Sequence, residues 1–443
     1  MTDLVETGTR SVGSSASKSY YQGDAFAARL RQRYAAERNF KIAGYASIGI
    51  AAVMLVVLLS TIIGQGYTAF WQTRIQIEAT IDPAEVAPVG TTDRTKISQG
   101  NFNKLLRDAL AAQFPDITDR SDRRKMYDVL SSGAAYELAD AVMENPALIG
   151  QKVKLWVTAS DDVDQLMKGY IERDAREENR KVNDIQLRVV DKLTADKNIA
   201  LQFNDTLFTR GDSREPEMAG LWGSIKGSFL TLLVTMFLAV PIGVSAAIYL
   251  EEFAPKNKLT DFIEVNINNL AAVPSIVYGL LGLAVFLNFF GMPRSAPLVG
   301  GVVLALMTLP IIIIASRAAL KAVPPSIRDA ALGVGASPLQ AVLHHRLPLA
   351  MPGILTGTIL GMAHALGETA PLLMIGMVAF IVDIPGGFTD SATLLPVQIY
   401  MWADSPERAF TERTSAAILV LLGFLVMMNG LAVFLRKKFE RRW

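Results

Sequence analysis

The sequence predicts an all-α polytopic membrane protein carrying one inserted α+β extracytoplasmic domain. Three observations lead there. Six apolar segments are each long enough to cross a hydrocarbon core of about 30 Å, which takes about 20 helical residues. A polar stretch, residues 64–221, separates the first segment from the other five, and basic side chains gather at both ends of the chain. The averages over 443 residues, 51% hydrophobic with a formal net charge of +1, conceal this division. They also exclude a nucleic-acid binder working by bulk charge. With no cysteine, neither disulfides nor thiolate chemistry is available, so the inserted domain must hold by packing alone. His344, His345 and His364 show no metal-ligand spacing, and no phosphate loop of the GxxxxGK type occurs. The sequence therefore predicts neither an enzyme nor a metal or cofactor site. Nucleotide energy, if used, enters through another chain.

Residues 1–41 form a basic leader, with Arg29, Arg31, Arg33, Arg38 and Lys41 ahead of the first apolar segment, 42–63. That segment is too long for the core of a cleaved signal peptide and reads as an uncleaved anchor helix. Arg436, Lys437, Lys438, Arg441 and Arg442 follow the last apolar segment. By the positive-inside rule both termini are cytoplasmic, as six spans allow. Residues 64–221 then face outward, too long a stretch for a connector. In it, "NKLLRDALAAQF" and "AAYELADAVM" carry the three-to-four spacing of amphipathic helices, and "QKVKLWVTAS" alternates like a strand before the acidic helix start "DDVDQLMKGYIER". The charged run "IERDAREENRKVND" reads as a solvated helix face, with an anion or partner site as the alternative. Residues 222–443 hold the remaining spans, at 225–250, 264–289, 298–320, 349–382 and 414–436, the fourth of these long enough to be tilted or broken.

Between two of these spans lies the polar stretch "RDAALGVGASPLQAVLHHRLP", residues 328–348. Asp329, Ala330 and Ala331, then Gly335, then Leu347 and Pro348 match in order and spacing the EAA loop of ABC importer permeases, with Asp329 in place of the usual Glu and His345 in the usual place of Ile. Small alanines permit close approach, Gly335 supplies an unrestricted turn, and Pro338 suits the first turn of a following helix. "AVPSIVYGLLGL" (272–283), "GETAPLL" (367–373) and "VSAAIYLEEFAPKN" (244–257) resemble the phosphate permeases of the PstA type, a likeness covering about residues 220–443. The resemblance implies a type I ABC importer core of five helices with a coupling loop at 321–348. It also implies a bacterial inner-membrane location, a second homologous permease, a dimer of cytoplasmic ATPases, an extracytoplasmic phosphate-binding protein and inorganic phosphate as cargo.

Polar side chains within apolar spans are costly and face a bundle interior, a cavity or a partner. Arg317, His364, Glu368, Asn268 and Asn269 are accordingly the residues expected along a translocation path. His364 and Glu368 share a helical face, His364 standing where the family often has arginine. Pro371 lacks the N–H that would bond to Gly367, so "GETAP" should bend or break its helix. A bare carboxylate repels phosphate, which gives Glu368 a positioning role with Arg317, His364 or the companion permease as partner. Arg317 either contacts the anion or extends to the inner interface. Asn268 and Asn269 either line a cavity or bond between helices. Pro241, Pro274 and Pro310 read as kinks. The sequence thus predicts the permease subunit of an ATP-driven phosphate importer; the alternatives are a permease for molybdate or sulfate and an ion-driven secondary transporter.

Overall fold

The structure, a computed structural model, describes residues 24–439. The first part of the basic leader and Arg441 and Arg442 lie outside the described residues. The chain divides into two compact units at Thr61/Ile62.

Helix α1 runs from Asp24 to Gly66 without interruption. It exceeds the expected 42–63 because the leader from Asp24 onward is rich in Ala and Arg, which favour helix, and holds no proline. An exposed Glu37–Lys41 pair at i,i+4 spacing, 2.7 Å apart, supports that part.

The other unit begins with an α+β module. Strand β1 (Trp71–Thr80) lies between β2 (Lys152–Thr158) and β3 (Ile199–Phe203), antiparallel to both, with Ile75 opposite Val157 on one side and Ile199 on the other. Thr73, Ile75, Ile77 and Ala79 alternate onto one face and are wholly buried. Helices α2 (Phe102–Gln113), α3 (Ala134–Glu144) and α5 (Asp184–Ala195) cover that face with Leu106, Leu110, Leu138, Val142, Val189 and Leu193. Side-chain caps start two of them: Asn101 accepts from the Lys104 N–H, and Asn183 forms a reciprocal capping box with Gln186. The short α4 (Asp161–Met167) begins with three acids in its first turn, as the favourable end of a helix dipole prefers.

The charged run 171–184 is not a helix face. It folds as turns around a single 3₁₀ turn, Glu177–Asn179. The cause is Arg180, whose guanidinium donates to the carbonyls of Val182, Arg173 and Ala175 and pairs with Asp184, tying the segment into a loop.

Beyond the module, α6 (Trp222–Ile248) continues through a π-helical turn, Tyr249–Phe253. The expected span 264–289 is two helices, α7 (Lys258–Ala271) and α8 (Ser275–Leu281, extended by a π-helical stretch to Phe289), bent by 101°. Pro274 explains the break: it cannot continue the helix and holds Val273 away from helical geometry. Helix α9 (Pro297–Lys321) is central, packing against α6 on one side and against α11 (Leu347–Gly367) on the other. Small residues bring these axes close; a Cβ on Gly357 would lie 2.3 Å from the Ala315 Cβ, and one on Gly301 2.5 Å from Val234. Pro241 and Pro310 are accommodated inside α6 and α9. The expected span 349–382 ends as a regular helix at Gly367, resumes as the short α12 (Ala370–Met374), and then leaves helical structure. Helices α13 (Leu395–Ala403) and α14 (Ala409–Phe439) complete the chain. Among the described residues, five helices are long and apolar enough to cross a membrane, or six if the bent α7–α8 pair counts as one span.

Candidate functional site

The stretch singled out in the sequence forms a projecting knob. Helix α10 (Pro325–Gly333) leads to Gly335, whose φ of +89° is a left-handed conformation that glycine adopts without a Cβ penalty. Ser337 then caps the next turn, accepting from the Gln340 N–H while Gln340 reaches back, with Pro338 at the first helical position. The chain passes through a π-helical segment, Ala341–Arg346, directly into α11. Asp329 and Ala330 are exposed, Ala331 is buried, and Leu347 and Pro348 are half-buried. Val334, at 86% exposure, and Leu339 and Leu343 offer apolar side chains outward.

The neck of the knob is closed by charge. Arg346 donates to the Leu320 carbonyl at 2.9 Å and to that of Val323 at 3.4 Å, where α9 ends and the knob begins. Its guanidinium also pairs with Glu252, whose other oxygen lies 3.3 Å from Arg328 on α10. The Glu252 side chain is fully buried between these two arginines. The preceding Glu251 turns the other way, 3.6 Å from Arg317 and 3.7 Å from Lys321 on α9. Arg317 also pairs with Glu264 of α7. Two adjacent carboxylates at the end of α6 thus divide their partners between the knob and α9. Sequence reasoning did not single them out for a role, nor Arg328 and Arg346. The signal was there in "YLEEF", a pair of acids ending an otherwise apolar run, but their partners lie far along the chain.

The residues expected on a path fall into separate places. His364 and Glu368 come together, Nε2 to Oε1 3.4 Å, at the C-terminal end of α11, where Glu368 adopts an extended conformation and ends the helix. Arg317 does not join them; its ion-pair partners are Glu251 and Glu264. Asn268 and Asn269 are exposed on α7. The two quoted apolar motifs meet instead: a Cβ on Gly279 would come within 2.6 Å of the Pro371 Cα, so "VPSIVYG" packs directly on the break in "GETAP". Tyr278 spans the α7–α8 bend, donating to the Leu270 carbonyl at 2.8 Å.

A second charged cluster, absent from the sequence reading, joins the module to α14. Lys168 lies 2.7 Å from Asp164 and 2.8 Å from Glu412, and Gln165 donates to Glu412 at 2.9 Å, all buried. Asp164 also accepts from the Thr73 N–H, and the neighbouring Arg413 is 4% exposed. Beside them, burial pushes the Asp161 carboxyl up to about 7, assisted by Asp162 and Glu217 and opposed by Lys181. Burial likewise raises Glu217, which accepts from Ser131 Oγ, and Asp212, which accepts from Trp402. A cavity of about 880 Å³ opens here, bounded by Asp161, Gln165, Arg180, Arg408 and Glu412.

Two families match this chain. Residues 27–177 match a domain of unknown function, DUF3333, and residues 239–442 match the binding-protein-dependent transport system inner membrane component. The phosphate transport system permease protein PstA 1 of Mycobacterium tuberculosis is 30% identical over 233 residues, which is 53% of this chain and 76% of the relative. The chain belongs to the PstA-type ABC permeases. The PstA of Yersinia pestis is 32% identical over 49% of the chain and 74% of its own length. A probable ABC transporter permease of Bacillus subtilis, YqgI, is 36% identical over 35% of the chain, which spans only about half, 52%, of that relative. Among solved structures, the inward-facing MetNI methionine ABC transporter aligns at 19% identity and a TM-score of 0.39 over 50% of this chain and 98% of its own. The match at 239–442 takes in the knob, its neck and the α11 break; β1 and β2 fall within the match at 27–177 and β3 lies beyond it.

Proposed function

We propose that the chain is the permease subunit of an ATP-driven importer of inorganic phosphate. In this reading it pairs with a second, homologous permease, receives phosphate from an extracytoplasmic binding protein and is driven by a dimer of cytoplasmic ATPases. The observation that carries the reading is the knob: a glycine-turned helical projection with apolar side chains outward and a rigid neck is suited to fit a cleft on a partner that moves. Phosphate as cargo rests on the names of the PstA relatives. Both termini and the knob are assigned to the cytoplasmic side, and the sheet module to the outer side, by the basic residues flanking α1 and α14.

Closure of the ATPases would displace the knob, and the attached α9 and α11 would tilt to open the path alternately to either side. No covalent chemistry takes place in this chain. His364 and Glu368 stand at the break in α11, where an interrupted helix beside a polar pair suits the edge of an aqueous path. Glu368 would position His364 or a cation of the companion permease, since a free carboxylate opposes an anion. Arg317 already has two carboxylate neighbours, so we assign it to the scaffold rather than to cargo.

The test is uptake of radiolabelled phosphate into vesicles holding this chain with its copurified companions and saturating binding protein. Uptake should require ATP on the ATPase side, resist uncouplers, and be little affected by excess sulfate or molybdate. Uptake that collapses with an uncoupler and ignores ATP would replace the reading with an ion-driven transporter; effective competition by sulfate or molybdate would change the cargo.

A further inference from the structure

We propose that Glu252 is the positioning residue that makes the knob and the α6 and α9 helices move as one body, so that it sets how much transport each ATP delivers. The inference deepens the proposed function and rests on it.

The geometry is specific. A knob held only by its two chain connections would swing about them, since both connections, Ala322–Pro324 and the π-helical segment ending at Arg346, depart from regular α-helix. Arg346 removes one freedom by bonding the returning chain to the Leu320 and Val323 carbonyls at the outgoing end. That closes the neck but does not fix its direction. Ile327 and Leu347 pack against an apolar cluster that includes Ala247 and Leu250, a contact without direction. Glu252 adds a directional one: it belongs to α6's final turn, a different element, and its two oxygens take one arginine from each side of the knob, Arg328 and Arg346. Both partners must swing together or lose the same buried acceptor. Glu251, just before it in the chain, joins the same turn to Arg317 and Lys321, so α9 is tied to α6 as well. A fully buried carboxylate between two guanidiniums is costly to leave half-paired, which makes the joint stiff rather than graded. Consecutive side chains on a helical turn point in different directions, which is how neighbouring Glu251 and Glu252 reach different partners.

Glu252→Gln keeps shape and loses the charge. In the assembled transporter it should retain ATPase binding and hydrolysis, while phosphate moved per ATP falls by about tenfold or more. Glu252→Asp should restore part of the ratio. Arg328→Gln, whose side chain is partly exposed, should show a smaller fall and serves if Glu252→Gln does not accumulate. An unchanged ratio in both variants, or hydrolysis and uptake falling in the same proportion, would overturn the proposal. A cargo-independent readout separates it from the phosphate reading. The chain has no cysteine, so Ser326→Cys on α10 and Phe237→Cys on α6 can carry a pair of distance labels. Their separation should stay constant on adding ATP in the otherwise wild-type chain and change in Glu252→Gln; a constant distance in both sinks the clasp, whatever the cargo. Wild-type hydrolysis indifferent to phosphate and binding protein would sink only the cargo.

Discussion

Asp161 shows how a single side chain in the module can make stability depend on pH. Its carboxyl titrates near 7 instead of 3.8, because burial disfavours the charge and Asp162 and Glu217 add repulsion that Lys181 offsets in part. The folded state therefore holds a proton that the unfolded state has released between about pH 4 and pH 7, so stability falls as pH rises through that window and stays reduced above it. Asp161→Asn should flatten this profile and raise stability at pH 8 by at most about 4 kcal/mol, with little change at pH 4. Thermal unfolding in detergent at pH 5 and pH 8 reads it directly; a parallel loss in wild type and variant would assign the dependence to another group. Gly335 is the opposite kind of residue. Its left-handed turn could be anticipated from its place between two helix signals, whereas nothing adjacent to Asp161 in sequence announces its burial or the approach of Glu217.

Elements divide along the same line. Among the described residues, each of the five helices long and apolar enough to cross a membrane overlaps an apolar run of the sequence, whereas the caps Asn101, Asn183 and Ser337 start helices without having been picked out from the sequence. The α7–α8 pair was not legible, because an apolar window averages over Pro274 and omits Lys258 and Asp261, polar residues in the first turn of α7 after its Asn257 cap. Ion pairs between distant elements were not legible either: Glu252 with Arg328 and Arg346, or Lys168 of the module with Glu412 of α14. The last pair tests how tightly those two elements are joined. Lys168→Met removes the ion-pair partner of buried Asp164 and Glu412, leaving the nearby Arg413 as compensation, and should cost up to about 3–5 kcal/mol. Adding Glu412→Gln should recover part of that loss, since one of the two stranded charges is then removed. Denaturation of the single and double variants in detergent gives the coupling; strict additivity would mean the ion pairs contribute nothing as a pair.

Over the whole molecule, residues 62–443 form one compact unit, although composition alone divides them into a polar module and an apolar bundle. The reason lies at the junction, where Asp212 meets Trp402 and the Lys168 cluster encloses the first turn of α14. Deleting residues 70–215 behind a short linker should therefore permit membrane insertion but lower the yield of extracted, assembled protein, because Glu412 and Arg413 lose the groups that bury them. Replacing both with Gln in the deleted chain should restore yield. Copurification of the companion permease is the measurement, and full assembly without those replacements would show that the junction is dispensable. The same junction also sets an order of events during synthesis. Residues 71–203 leave the ribosome long before Glu412, and Lys168 and Gln165 must wait for a partner that arrives only with the final helix. Until then the module's edge at α4 stays wet and unlocked, and bringing its ends together carries the entropy of a loop that contains most of the bundle. Completion of the polar module thus waits until synthesis has reached the first turn of α14.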